Sequence, residues 1–233
     1  MLHLFVCHKP KLRFSVVTVN HGIRPEAADD CKFVADYCRQ NGVECAIECV
    51  DVPTYAAEHK LSTETAARIL RYNVLDNVDA DYICLAHHMS DNAETVLMHI
   101  LRGSGANGAE GIREQNGRYL RPLLDMTRDE IFAYVCKNHV PYVTDSTNLV
   151  NDVKRNKVRL DVIPLLQTIN PSVVDSIYQT SLRLTEAARM ANSPVIHDRY
   201  QGDTLPFAML RNEASAEYVL WHRLAPLGFT PAQ

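Results

Sequence analysis

The sequence lacks any long apolar run. No stretch approaches the roughly 20 consecutive apolar residues that a membrane-spanning helix needs. The apolar opening, Met-Leu-His-Leu-Phe-Val-Cys, is short and has neither a basic leader nor a small-residue cleavage site. With 46% hydrophobic and 22% charged residues, the composition is that of a soluble globular protein, and we expect no membrane partner.

Paired cysteines and an excess of positive charge are missing as well. The seven cysteines form no Cys-x-x-Cys pair and their number is odd, so we expect reduced, buried thiols in the cytoplasm. The formal net charge is -4, so contact with nucleic acid would have to come from a local basic patch. The 233 residues are enough for one α/β domain with a helical appendage.

The pattern that is present alternates strands with helices. Residues 14–20 form a β-branched strand, residues 26–40 have helical spacing, and residues 43–52 are the next strand, which Pro53 stops. A strand, a helix and a second strand in succession predict a parallel sheet. Ser62 is a plausible cap for the following helix, and residues 81–86 are a short buried strand.

The later segments are mostly helical. Residues 118–124 are extended, and Pro122 predicts an edge strand or no strand there. Thr127 begins a capping box for a helix through Asn138. Residues 162–169 and the long segment from residue 172 onward are helical in pattern, with a small further module from residue 205.

Polar side chains cluster where the strand of residues 81–86 ends. His87 and His88 follow it, Ser90 or Asp91 can cap the next helix, and Glu94 stands three residues after Asp91. The carboxyl end of a strand and the amino end of a helix are where open α/β sheets bind ligands. The plainer alternatives are two helix caps and two ordinary polar histidines; a metal site lacks an obvious third ligand.

Two other segments are candidates for the same edge. Asn20, His21 and Gly22 follow the first strand, where a simple turn with glycine at positive φ is an equal alternative. Positive charge is concentrated within six residues, and Arg155 and Arg159 would lie one helical turn apart on one face. That face is either solvated or in contact with phosphates.

Taken together, these strings resemble a known family. His-His-x-x-Asp-x-Ala-Glu-Thr followed by Arg-Gly-Ser-Gly closely resembles the signature of the tRNA(Ile)-lysidine synthetases, which belong to the ATP pyrophosphatase (PP-loop) superfamily. The resemblance covers roughly residues 13 to 230. It extends to V-N-H-G-x-R-P from residue 19, E-x-x-A-R-x-x-R-Y from residue 64, R-P-L-L-x-x-T-R-x-E-I from residue 121, D-x-S/T-N from residue 145 and R-N-x-x-R from residue 155.

The resemblance implies a fold and a reaction. The fold is a Rossmann-like parallel sheet with flanking helices, with a PP-loop catalytic domain in residues 1–168, a helical linker in 169–204 and the start of a tRNA-binding module in 205–233. The family ligates free L-lysine to the wobble cytidine of a CAU-anticodon tRNA(Ile), after ATP, assisted by Mg²⁺, has adenylated that cytidine. A homodimer is compatible with the family.

The resemblance also implies roles for individual residues. Asp91 and Glu94 would hold the lysine ammonium group, and one of them would accept its proton. Arg102 would steady a phosphate or the activated cytidine. Nucleotide contacts would come from His87, His88, Asn20, His21 and Gly22. Contacts to tRNA phosphates would come from Lys154, Arg155 and Arg159.

One family element is missing from the sequence. PP-loop enzymes hold ATP phosphates in an S-G-G-x-D-S loop, which this chain does not contain. The resemblance implies that this loop and the first strand lie upstream of residue 1, that further domains follow residue 233, and that the sheet has a gap at the missing strand. The alternatives are a tRNA thiolase of the same superfamily and a binding fragment without catalysis.

Overall fold

The structure is a computed structural model and describes residues 1–104, 109–143 and 154–191. The chain divides into two compact units, Met1–Leu182 and Arg183–Gln233. In the second unit the described residues are 183–191, which belong to a helix. The predicted domain limits at residues 168 and 204 stay predictions. The predicted motif at residues 145–148 and the predicted module from residue 205 lie outside the described residues.

The first half of the chain is a strand–helix–strand unit followed by two helices. Its strands pair in parallel, with Val16 opposite Cys45 and Asn20 opposite Cys49, which confirms the predicted parallel sheet. The elements are α1 (Leu2–Cys7), a 3₁₀ turn (Lys9–Lys11), β1 (Val16–Asn20), α2 (Ala27–Gln40), β2 (Cys45–Cys49), α3 (Val52–His59) and α4 (Thr63–Asp76).

Helix α3 was not expected from the sequence. The predicted second strand extends to residue 52, but β2 ends at Cys49 and Pro53 lies in the first turn of α3. A proline fits that turn because the first helical N–H groups have no intrahelical acceptor. Asp51 caps the helix by accepting a hydrogen bond from the Thr54 N–H at 3.1 Å. The predicted cap of α4 is confirmed, since Ser62 Oγ accepts from the Thr65 N–H at 3.2 Å.

The second half of the chain holds a small mixed sheet and a run of helices. Strand β5 pairs in parallel with β3 and antiparallel with β4. The elements are β3 (Ile83–Cys84), α5 (Met89–Leu101), β4 (Gln115–Asn116), β5 (Tyr119–Leu120), α6 (Arg128–Lys137), α7 (Lys154–Lys157), a π-helical segment (Val158–Val162), α8 (Ile163–Ile169) and α9 (Val173–Ala191).

The prediction for residues 118–124 is wrong in one respect. Strand β5 lies in the middle of its sheet, not at an edge. Pro122 does not prevent this, because the paired residues are Tyr119 and Leu120 and the missing proline N–H falls outside the ladder. The predicted capping box of α6 is confirmed: Thr127 Oγ1 accepts from the Glu130 N–H at 3.2 Å, and Glu130 Oε2 accepts from the Thr127 N–H at 2.8 Å.

The sheet is in two pieces. In the described residues β1 pairs with β2 and β3 pairs with β5, and no ladder joins β1 to β3. The two pieces are therefore not joined by backbone pairing in the described residues, and each contains the parallel pairing typical of the α/β class. A gap at a missing strand stays a prediction. Of the helices in the described ranges, none is both long and apolar enough to cross a membrane.

One buried cluster joins α4 to the second half of the chain, and another packs helices of the second half together. In the first, Leu75 of α4 packs with Ile83 and Tyr119 of the small sheet. In the second, Ala93 of α5 packs with Val158 and Ile163, which lie five residues apart along the continuous helical stretch of residues 154–169. This second contact places the amino-terminal half of α5 directly against α7 and the π-helical segment, and the polar residues between them form the site.

Candidate functional site

Helix α5 begins at Met89, with residues 85–88 between it and β3, and so begins earlier than the sequence pattern predicted. Its N-cap is His88, and the His88 N–H donates to Asp91 Oδ2 at 3.0 Å. Ser90 or Asp91 was the predicted cap, but both lie inside the helix, because the turn after β3 already ends at His88. Asp91 is instead the third helical residue, where a carboxylate is favoured by the positive end of the helix dipole.

Glu94 is a buried ion-pair partner, and the expectation that it completes a capping box with Asp91 is wrong. Its side chain is 1% exposed. Arg155 Nε donates to Glu94 Oε2 at 2.7 Å, and Arg159 donates through Nε to Oε1 at 2.6 Å and through Nη2 to Oε2 at 3.0 Å. A carboxylate removed from water needs such charge-assisted partners to remain ionised. The two arginines therefore share one helical face, as predicted.

Asp91 completes the group, which we call the charge cluster (Asp91, Glu94, Arg155 and Arg159). Asp91 Oδ1 lies 3.4 Å from Arg155 Nη2 and 3.6 Å from Arg159 Nη2. Its side chain is 15% exposed, so it is more accessible than Glu94 and more loosely paired. The hydrogen bonds and charge of Glu94, with the charge of Asp91, raise the pKa of Arg159 against the opposing effect of burial. Two carboxylates and two guanidinium groups make the cluster neutral overall.

His87 lies beside the charge cluster and is uncharged at neutral pH. Burial lowers its pKa to about 4; the charge of Asp91 opposes this shift, and the charges of Arg121, Arg71 and Arg155 add to it. Its Nδ1 atom is buried and has no hydrogen-bond partner. A neutral imidazole in this position can donate or accept one hydrogen bond to a ligand.

A basic cleft of about 1110 Å³ opens next to these residues. Its walls carry one carboxylate, from Glu64, against six cationic side chains. A chain with a net charge of -4 thus concentrates positive charge at one place, which is the local patch that contact with nucleic acid requires. The cations lining the basic cleft are Arg68, Arg102, Arg113, Arg121, Lys154 and Arg155.

The predicted site residues are distributed over this cleft and its surroundings. The cleft is lined by His87, Arg102, Lys154 and Arg155. The rest of the charge cluster connects to it through Arg155, which pairs with both carboxylates. The other predicted site residues, all in described parts of the chain, are not among its lining residues: Asn20, His21, Gly22 and His88.

The turn after β1 nevertheless lies near the same charges. Burial lowers the pKa of His21, and the charge of Arg71 lowers it further, as it does for His87. Gly22 has φ +66°, and its N–H donates to Asn20 Oδ1 at 3.0 Å. An added Cβ would meet the Val50 carbonyl oxygen at 3.1 Å, so the backbone itself requires glycine here. A nucleotide role for this turn stays a prediction.

Sequence reasoning missed the part played by Asn92. It is fully buried; its Nδ2 donates to Ser181 Oγ at 3.0 Å and its Oδ1 accepts from the Ile112 N–H at 2.6 Å. Asn92 thereby ties α5 both to α9 and to residues 111–113, which form part of the cleft wall. The available signal was the amide side chain of Asn92 beside Ala93 in an apolar helix, but its hydrogen-bond partners lie 20 and 89 residues away.

Comparison with known proteins identifies the class to which this arrangement belongs. The PP-loop domain family matches residues 1–166, and the chain belongs to that family. Within it, the chain is 37% identical over 238 residues to the tRNA(Ile)-lysidine synthase of Bacteroides thetaiotaomicron, covering 99% of this chain and 56% of the relative. It is 41% identical over 177 residues to that of Thermosipho africanus, covering 73% of this chain and 42% of the relative.

These matches confirm the resemblance given by the sequence strings, and they also set its extent. The chain spans about half the length of the curated relatives it matches. Among solved structures, the U34-tRNA thiolase NcsA from Methanococcus maripaludis, determined with its [4Fe-4S] cluster, matches with a TM-score of 0.65 and 18% identity, over 80% of this chain and 68% of that chain. That likeness confirms the α/β PP-loop fold.

Proposed function

We propose that this chain carries out the ATP-dependent ligation of L-lysine to the wobble cytidine of a CAU-anticodon tRNA(Ile). The observation that carries the proposal is the similarity to the tRNA(Ile)-lysidine synthase of Bacteroides thetaiotaomicron along 99% of this chain. Membership of the PP-loop family implies the use of ATP. Such a reaction belongs in the cytoplasm, where tRNA is modified, and a homodimer is compatible with it.

The basic cleft is the proposed contact surface for tRNA. Lys154, Arg155 and Arg102 lie on its wall, and cationic side chains on such a surface bind phosphates independently of base sequence. Arg159 is the remaining predicted tRNA contact. In this structure both Arg155 and Arg159 are paired with Glu94, so we propose that they orient the cleft wall and reach phosphates with the N–H groups that the pair leaves available.

Asp91 is the proposed binding group for the lysine ammonium. The two oxygens of Glu94 accept hydrogen bonds of 2.6 to 3.0 Å from the arginines, whereas Asp91 Oδ1 is 3.4 and 3.6 Å from the same guanidinium groups. Replacing an arginine guanidinium with the lysine ammonium as the partner of the carboxylate therefore costs less free energy at Asp91 than at Glu94. Once the amine is held there, the carboxylate of Asp91 can accept a proton as the nitrogen becomes nucleophilic. Glu94 keeps the arginines in place.

The nucleotide side of the reaction is assigned to the strand ends. His87 and His88, together with the turn of Asn20, His21 and Gly22, are the proposed contacts to ATP or to the activated cytidine. No cluster of three metal-binding side chains occurs in the described residues. Mg²⁺ ordinarily uses one or two carboxylates and several phosphate oxygens, so the residues present fit an ion that the nucleotide phosphates largely hold.

The decisive experiment measures incorporation of labelled lysine into a tRNA(Ile) transcript by the 233-residue chain with ATP, together with AMP release. We expect both in the wild type, and a loss of at least about 100-fold in Asp91→Asn, because an uncharged amide neither holds an ammonium nor accepts its proton. Asp36→Asn is the matched control, since Asp36 pairs with Arg39 on the surface of α2.

Three outcomes would replace the proposal. Wild-type incorporation in both Asp91→Asn and Glu94→Gln would reduce the charge cluster to a structural element. Binding of tRNA without AMP release would leave a non-catalytic binding fragment. Transfer of sulfur to tRNA in place of lysine would favour the thiolase alternative.

A further inference from the structure

Two arginines near the basic cleft, Arg121 and Arg71, each have a buried Nε atom and no carboxylate partner in the described residues. Arg121 is 7% exposed; its Nη1 donates to the Arg113 carbonyl oxygen at 2.7 Å, while its Nε is buried and without a hydrogen-bond partner. Arg71 also has a buried, unpartnered Nε, and its guanidinium lies 5.9 Å from the ring centroid of Tyr72. No ion pair joins either arginine to a carboxylate in the described residues.

This situation differs from that of the other arginines nearby. Arg155 and Arg159 are matched by Glu94. Arg118 also has a buried Nε without a hydrogen-bond partner, but its Nη2 donates to the carbonyl oxygens of Leu75 and Val78 at the end of α4, where the helix dipole favours a cation. A buried charge without compensation destabilises a fold unless a ligand completes it.

Both uncompensated arginines act on the same histidine. The charges of Arg121 and Arg71 each lower the pKa of His87, so both guanidinium groups lie within electrostatic range of its ring. His87 Nδ1 is a third buried nitrogen without a hydrogen-bond partner. His87 and Arg121 line the basic cleft, and Arg71 lies one and three residues along α4 from Tyr72 and Arg68, which line it too.

We propose that Arg121, Arg71 and His87 form a subsite for an oxyanion of the substrate, either a phosphate group of the nucleotide or the α-carboxylate of the amino acid. The two guanidinium groups supply charge and N–H donors, and the neutral imidazole supplies one further N–H without adding charge. The choice of these two oxyanions rests on the proposed function; the existence of an oxyanion subsite rests on the unpartnered buried nitrogens and on the cleft that His87 and Arg121 line.

The test is isothermal titration of the 233-residue chain, in buffer without phosphate, with three separate probes. Inorganic pyrophosphate represents the phosphate source, L-lysine the carboxylate source, and lysinamide is lysine without the carboxylate. We expect the wild type to bind pyrophosphate or L-lysine. Arg121→Gln and Arg71→Gln should each weaken the affinity for the probe that binds at least about tenfold. Arg121→Lys should keep most of the affinity because it restores the charge. Arg39→Gln, which removes a surface charge on α2, is the control and should change nothing.

The probes separate the two sources. Loss of pyrophosphate binding in the variants assigns the subsite to a phosphate, whereas loss of L-lysine binding, with lysinamide already weak in the wild type, assigns it to the carboxylate. The unfolding temperature without ligand gives a second measurement: Arg121→Gln should match or exceed the wild type, because an uncompensated buried charge has been removed. If Arg121→Gln does not fold, the affinities of Arg121→Lys and Arg71→Gln are compared with that of the wild type instead.

The subsite is overturned if the wild type binds none of the probes, if both glutamine variants bind as the wild type does, or if Arg39→Gln weakens binding equally. None of these measurements needs tRNA or turnover. A chain that binds an oxyanion through Arg121 but forms no lysidine would therefore retain the subsite and lose the proposed function.

Discussion

Arg155 and Glu94 meet at 2.7 Å although 61 residues of sequence separate them. Their contact joins α7 to α5, and the carboxylate is 1% exposed while the guanidinium still lies on the wall of the basic cleft. One ion pair thus connects the interior of the fold to the surface proposed for tRNA. Stability and binding should consequently respond together when it is broken.

Replacement of Glu94 by alanine should destabilise the fold strongly. The change leaves two arginines without the carboxylate that accepts from both, and breaking a buried ion pair in this way typically costs about 3 to 5 kcal/mol. Chemical denaturation monitored by circular dichroism measures the free energy of unfolding. Asp36→Ala removes an exposed pair and should cost less than about 1 kcal/mol. Equal losses in the two variants would contradict a special role for the buried pair.

Acidification should destabilise the protein through His87. Its pKa is lowered from 6.5 to about 4 in the folded chain, so between those values the unfolded chain binds a proton that the folded chain does not. Stability is therefore unaffected above this window and falls as the pH drops through it. Between about pH 7.5 and about pH 5, the wild type should lose roughly 2 kcal/mol more than His87→Gln in urea denaturation. Parallel losses in the two proteins would show that the imidazole titrates normally.

The wall of the cleft at Gly111 should not accept a side chain. Gly111 has φ +72°, and an added Cβ would stand 2.2 Å from Asn92 Oδ1. Gly103 has the same φ, but an added Cβ there meets nothing within 4 Å. Gly103→Ala should therefore cost only the backbone strain, about 1 kcal/mol, and Gly111→Ala at least about 2 kcal/mol more. Thermal unfolding of the pair measures the difference, and equal midpoints would mean that Asn92 moves freely.

Binding of tRNA should depend on salt through the lysine and arginine of the cleft. Each phosphate contact contributes about one unit to the slope of log affinity against log salt, so Lys154→Gln and Arg102→Gln should each reduce that slope by about 1 between roughly 50 and 200 mM salt. Filter binding or fluorescence anisotropy measures it. Lys137→Gln, an exposed charge on α6 outside the cleft lining, should leave the slope unchanged. A reduction as large in Lys137→Gln would indicate non-specific attraction.

The local parts of this fold were predictable from the sequence, and the long-range parts were not. The parallel unit of β1 and β2 and the caps at Ser62 and Thr127 depend on neighbouring residues, so their patterns predict them correctly. Helix α3 was missed because Pro53 both ends strands and begins helices.

The site divides in the same way. The strand end at His87 and the charged face of Arg155 were visible in the sequence, because each depends on a short string. Glu94 was expected either to cap a helix or to hold the lysine ammonium group. Its ion pairs were not predicted, because its partners are 61 and 65 residues away in the sequence. The burial of Arg121 could not be predicted, because its own segment does not show which residues pack around its side chain.

The π-helical segment Val158–Val162 has a consequence for how the helical stretch tolerates change in length. Five residues of regular α-helix rotate by about 500°, which would point Val158 and Ile163 roughly 140° apart, yet both reach the same buried cluster. The wide π-helical turn therefore accommodates one extra residue between α7, which carries Arg155, and α8, which begins at Ile163. Deleting one position within it would regularise the helix while keeping both ends in phase, whereas the same deletion inside α5 would rotate everything after it out of alignment.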